Sequence, residues 1–154
     1  MPRDRHWPSV VDVVLFMDEV VDNSAPENQA LIEQQVLRNL EVLLNTRRGP
    51  TWPPKHLEET LSSSVAYGIN DFTCSSFVDS PDRRTLCSEL RKAIRAYEPR
   101  LKNVQVEDLN GTEELDRILH FRIRAQLLVY PNPHRIVFDS RLDRATAQFE
   151  VSQE

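Results

Sequence analysis

The feature that most limits what this chain can fold into is a change of hydrophobic period at Pro99. Before it, Ile32, Val36, Leu40, Leu43 and Leu44, and then Leu86, Leu90, Ala93, Ile94 and Tyr97, recur at intervals of three and four, the spacing of one helix face. After it, Val104 and Val106 alternate with Gln105 and Glu107. Leu119, Phe121, Ile123, Ala125, Leu127 and Val129 then alternate with polar residues, broken only by Leu128, which is the cleanest strand in the chain. Pro131-Asn132-Pro133 turns it, and Arg135 to Ser140 returns with Ile136 and Phe138 on one face. Consecutive strands with short connections pair as an antiparallel meander. Its apolar face needs a cover, and the helices that precede it are the available lid. The expectation is an α+β fold: N-terminal helices and a central helix packed on one face of a small antiparallel three-stranded sheet.

Local punctuation sets the element ends. Residues 27–46 read as one helix, widened by Leu37, with Arg47 and Arg48 where the helix dipole favours cations and Gly49-Pro50 as the stop. Each apolar side chain of that stripe contributes ~1.5–3 kcal/mol when fully buried, an upper bound on the anchor it provides. Ser80-Pro81 opens the central helix, with serine as cap and proline in the first turn. Residues 9–22, capped by Ser9, read as a short helix whose valines either pack on the chain's own core or dock on a partner protein. A stiff loop carries Trp52, Lys55 to Ser64 forms a short helix with Leu57 and Leu61 inward, and Thr73 to Asp79 is an irregular loop. The expected organisation is an arm over 1–26, one domain over 27–151 and a tail over 152–154.

Several function classes drop out on composition. A chain of 154 residues buries enough surface to fold without disulfide or metal. With 3 glycines it has neither G-x-x-x-x-G-K nor G-x-G-x-x-G, so phosphate-cradling loops are excluded. Cys74 and Cys87 form no C-x-x-C and read as free thiols, while His6, His56, His120 and His134 are scattered without zinc spacing. No cofactor or metal is expected. A net charge of −5 gives no reason to expect nucleic-acid binding. The apolar run from Val10 to Met17 is interrupted by Asp12 and closed by Asp18 and Glu19, so it reads neither as a signal peptide nor as a membrane span. A soluble cytoplasmic protein is the expectation. Charge is segregated: Ser9 to Glu33 holds six acidic residues and no basic one, whereas Asp82 to Lys102 holds seven basic and three acidic. Either these are solvated faces or they orient the chain among partners.

Glu98-Pro99-Arg100 sits where helix gives way to strand. Proline pushes the preceding residue away from helical geometry, so the helix ends at about Glu98. An anion at a helix C-terminus is mismatched with the dipole by roughly 0.3–1 kcal/mol when exposed. A compensating cation is called for, and the planar fork of Arg100 suits a carboxylate, in this chain or across an interface.

Three segments in order, Leu43-Leu44-Asn45-Thr46-Arg47-Arg48-Gly49, Tyr67-Gly68-Ile69-Asn70-Asp71-Phe72 and Tyr97-Glu98-Pro99-Arg100-Leu101, resemble the TssE family. These are baseplate subunits of bacterial type VI secretion systems, related to a phage baseplate wedge protein once labelled lysozyme-like. Val137 to Asp143 also looks like that family's last strand and exit, and Asn70 stands where relatives often carry proline. The resemblance implies a non-enzymatic role in a contractile injection machine. It places the chain, in several copies per ring, in a wedge with TssF and TssG beside TssK, helping to start the sheath of TssB and TssC. It assigns Glu98, Pro99 and Arg100 to wedge and sheath assembly.

A small sheet ending in a hairpin offers an unpaired edge that can accept a partner strand. Leu119 to Ser140 is the candidate acceptor, with Arg135, Ile136, Val137 and Phe138 as the partner-binding edge. Proline at Arg135 or Ile136 is expected to abolish sheath formation and leave the monomer folded. Two alternatives compete. A peptidoglycan glycoside hydrolase needs a second carboxylate facing Glu98, for which Glu107 and Asp139 are candidates, and an acid of raised pKa. A small regulatory adaptor would instead bind one soluble partner.

Overall fold

The computed structural model describes residues 29–49, 66–72, 80–111, 117–129 and 132–153. The readings made for residues 9–22, Trp52, 55–64, 73–79 and Pro131 lie outside them. Among the described residues two helices, α1 (Gln29–Asn45) and α2 (Ser80–Tyr97), precede four strands. These are β1 (Leu101–Asp108), β2 (Ile118–Leu127), β3 (His134–Asp143) and β4 (Gln148–Gln153), paired antiparallel in the order β1-β2-β3-β4.

The expected helix stripes are the buried faces. Ile32, Val36, Leu40, Leu43 and Leu44 of α1 and Leu86, Leu90, Ala93, Ile94 and Tyr97 of α2 meet Phe121, Ile123 and Leu127 of β2 and Phe138 and Leu142 of β3 in one core. α1 lies mainly over β4 and α2 over β1, so one face of the sheet is covered. On the opposite face arginines and carboxylates pair across strands, Arg122 with Asp139 at 2.9 Å and Arg124 with Glu107 at 2.6 Å.

Four strands, not three, make the sheet. Phe149 and Val151 of β4 are buried and alternate with Gln148, Glu150 and Ser152. The turn before them contains no glycine, proline or asparagine, and Ala147 takes the left-handed backbone (φ 55°) that such residues usually supply. The chain therefore does not exit at Asp143. β4 has its own plug: the Asn45 amide donates to the Phe149 carbonyl at 2.9 Å and accepts from its N–H at 2.8 Å. One helix-end side chain thus stands where a neighbouring strand would. β1 carries a bulge between Lys102 and Gln105, with Asn103 at φ 53°, which lets both Leu101 and Val104 face the core.

Two tethers close the helix layer. Arg48 N–H donates to Ile69 and Ile69 N–H to Thr46, so the segment from Tyr67 to Phe72 is stitched to the end of α1. The Arg47 guanidinium lies over the Phe72 ring, 4.3 Å from its centroid, and donates to the carbonyls of Leu44 and Ala147.

Arg83 departs from both readings offered for α2's basic residues, solvated face or partner contact. It is 4% exposed and its Nε donates to Asp108 at 2.7 Å. Burial raises the Asp108 pKa, but the Asn110 N–H, the Arg83 guanidinium and the Asn110 side chain outweigh it and hold the carboxyl below its ordinary value. A depressed folded-state pKa stabilises the fold above the unfolded value, ~3.9 for aspartate, and that share is lost as pH falls through the folded value. Asp108→Asn is therefore expected to flatten the fall of Tm below about pH 4. Thermal melts from pH 2 to 7 check this.

Candidate functional site

The site grows from the way α2 ends. The Glu98 N–H still donates to Ile94 at 2.9 Å, and Leu101 N–H then closes a turn onto the Glu98 carbonyl at 3.1 Å. Pro99, exposed at the turn's second position, needs no amide partner there. The Arg100 carbonyl accepts from Leu128 at 2.9 Å, and the chain enters β1. Helix, turn and strand follow within four residues, as the proline position requires.

Inside this turn Glu98 and Arg100 bind each other. Arg100 Nε donates to Glu98 Oε1 and Nη2 to Oε2, each at 2.8 Å, and the Arg100 N–H reaches Oε1 at 3.4 Å. Both residues are almost fully buried, at 1% and 2% exposure. α1 supplies the surroundings: Asn39 Nδ2 donates to Glu98 Oε2 at 3.3 Å and Arg100 Nη1 to Gln35 Oε1 at 3.5 Å. The cation sought for Glu98 is therefore in the same chain. The parallel two-point geometry is the strong form of the arginine–carboxylate bond, and the amides offset part of the cost of removing two charges from water.

What this arrangement can do chemically is limited. A general acid needs access to substrate, whereas both Glu98 oxygens are bonded to a guanidinium and buried. Glu107 and Asp139 lie on the sheet face away from the helices, each held by its own arginine. Cys87 is a free thiol whose pKa burial pushes up to about 11, so it is a poor nucleophile. Among the described residues no cluster of three or more His, Cys, Asp or Glu side chains could hold a metal, and no helix is long and apolar enough to cross a membrane.

Gln35 and Asn39 were not foreseen as parts of the site. Asn39 carried a signal, because it falls between Val36 and Leu43 on the apolar face of α1. Gln35 at its border carried none.

The candidate edge is split by the structure. Phe138 faces Gln153 of β4, so β3 is interior from there on, while Arg135 and Ile136 meet no second strand among the described residues. Arg144 N–H bonds the Arg117 carbonyl beside the Asp143–Ile118 pair, which fixes the alternation along the ladder. By that alternation Ile136 turns its N–H toward β2, and Arg135 and Val137 turn theirs outward. Ile136 is also buried, so proline there would break the fold, which corrects the expectation of a folded monomer. Arg135 is the exposed position where proline removes only an outward donor.

Comparisons with known proteins agree with this architecture. Residues 30–132 match the family model described as baseplate wedge protein gp25. A chain of a solved structure titled "The baseplate complex from the type VI secretion system" aligns with a TM-score of 0.52 at 21% identity, covering 83% of this chain and 99% of that one. At that identity the likeness is one of fold. No curated protein matches the chain. The family match spans α1, the sealed Glu98–Arg100 turn and the first two strands, and on it the chain belongs to the baseplate wedge protein gp25 family.

Proposed function

We propose that this chain is a TssE-like structural subunit of a type VI secretion baseplate. In this reading it is not an enzyme. Copies of it stand in the wedge with TssF and TssG, beside TssK, on the cytoplasmic side of the inner membrane. There the chain attaches the first sheath subunits of TssB and TssC and starts their polymerisation. The observation that carries the reading is the sealed Glu98–Arg100 pair within a baseplate wedge family: it ties α1, α2 and β1 into a rigid block and keeps Glu98 from acting as an acid on a substrate.

The sheath contact is the strand edge at Arg135 and Val137, where outward backbone groups continue the line of β4. A sheath strand would add there through main-chain hydrogen bonds, with Arg135 and nearby charges fixing register. Arg135→Pro tests it in the native host. The variant is expected to keep the wild-type circular dichroism and co-purification with TssF and TssG, and to lose fluorescent sheath assembly. Undiminished sheath assembly overturns the strand-addition step. Peptidoglycan turnover that disappears in Glu98→Gln would overturn the structural role itself.

A further inference from the structure

The solvent face of α2 carries a second feature, independent of the sheath reading. Arg84, Arg91 and Arg95 are all exposed, and at 100° per residue they fall within about 40° of arc, opposite the buried stripe. They span roughly 16 Å along the helix at 1.5 Å per residue, with only Ser88 between them on the same line. None of the three meets a carboxylate among the described residues. Elsewhere Arg83, Arg117, Arg122 and Arg124 each hold an aspartate or glutamate, and Lys92, on the neighbouring ridge, holds Glu89, while Lys102 and Arg135 are exposed without one among the described residues. Arg91 and Arg95 stand at i and i+4, where like charges destabilise a helix. On a chain of net charge −5, these three form a concentrated positive line that no carboxylate of the described residues meets, suited to an anionic partner.

We infer that this arginine line docks an acidic helix of a neighbouring protein. Its carboxylates would recur at the same one-sided spacing, so each guanidinium faces one acid across two near-parallel helix axes. Nucleic acid fits less well. The overall charge repels a polyanion, and Thr85, Ser88 and Ala96 beside the arginines offer no ring on which a base could stack. A lipid surface fits less well too. Among the described residues the exposed large apolar side chains, Leu31, Leu109 and Ile118, lie on α1 and where β1 leads to β2, and none is on α2.

Fluorescence anisotropy on the full chain tests the inference with four probes. One is a helical peptide with glutamates at i, i+4, i+7 and i+11 in an alanine–glutamine background. The others are its isomer with those glutamates spread around the helix, a DNA duplex, and phosphatidylserine vesicles. The one-sided peptide is expected to bind at least ten-fold tighter than its isomer, and more weakly as salt rises from 50 to 200 mM. Arg91→Glu is expected to weaken that binding ten-fold or more while raising Tm by about 1 °C, because a carboxylate introduced there stands at the favourable i,i+4 spacing before Arg95. Should Arg91→Glu lower Tm instead, Arg84→Gln with Arg95→Gln decides by the same affinity ratio. Equal binding of the two peptides, unchanged binding in the variants, or tighter binding of duplex or vesicle through these arginines overturns the inference.

Discussion

Glu98→Ala is expected to lower the stability of the domain by about 3–5 kcal/mol, because it removes the carboxylate that holds the Arg100 guanidinium at two points, at 2% exposure. For a chain of this length that corresponds to a fall in Tm of about 6–20 °C. The reason is asymmetric: the intact pair gains little net energy over an apolar core, whereas half of it leaves an uncompensated buried charge. The companion experiment therefore replaces both members. Glu98→Leu with Arg100→Met is expected to recover most of the lost Tm, since two apolar side chains remove both desolvation costs together. Exchange of the two charges, Glu98→Arg with Arg100→Glu, is expected to fail. Asn39 presents a donor to the position Glu98 occupies, and the turn fixes which residue meets it. The three melts separate a buried mutual pair from one that reaches to another subunit, because an intersubunit pair would leave the isolated chain's Tm nearly unchanged in all three variants.

The apolar double variant also carries a functional lesson. If the pair only holds the junction rigid, the recovered fold assembles a sheath. If its charge is read by a neighbour, the fold recovers and assembly does not.

The boundary at Pro99 was legible because two periods meet there and proline fixes the switch. α1, α2, β2 and β3 followed from the same alternation of apolar and polar residues, since each element buries one face only. β4 was not legible for a specific reason. Its two buried side chains, Phe149 and Val151, make a pattern too short to stand alone, and Ala147 turns the chain without the residue types that advertise a turn. The candidate edge was drawn too long with it, because the missed strand covers β3 from Phe138 on and leaves Arg135 to Val137 without a second strand among the described residues. Arg83 was missed because a periodic basic helix looks solvated until the distant Asp108 is brought beside it by β1. The Glu98–Arg100 pairing was legible as a local need for a cation, but Gln35 and Asn39 come from about sixty residues away and no spacing rule reaches that far.

The second large effect is expected at Gly68, within the segment that resembles the TssE family. Gly68 takes φ +104°, and a Cβ there would stand 2.5 Å from the Thr46 carbonyl oxygen. That oxygen is the acceptor for Ile69 N–H, and the next bond of the stitch runs from Arg48 N–H to Ile69. Both are backbone, so the clash has no flexible side chain to yield, and relieving it means parting the stitch that holds 66–72 against α1. Left-handed strain costs about 1–3 kcal/mol and forced overpacking a further ~1–3 kcal/mol. Gly68→Ala is accordingly expected to destabilise by about 2–6 kcal/mol, a fall in Tm of roughly 4–24 °C. The Ile69 and Arg48 amides should lose hydrogen-exchange protection ahead of the sheet. Gly49→Ala is the control: nothing lies within 4 Å of its added methyl, and it should move Tm by less than about 2 °C. Equal, small shifts at both glycines would mean that the Tyr67–Phe72 segment is not held against Thr46. Arg47 and Phe72 would then have to close the helix layer alone.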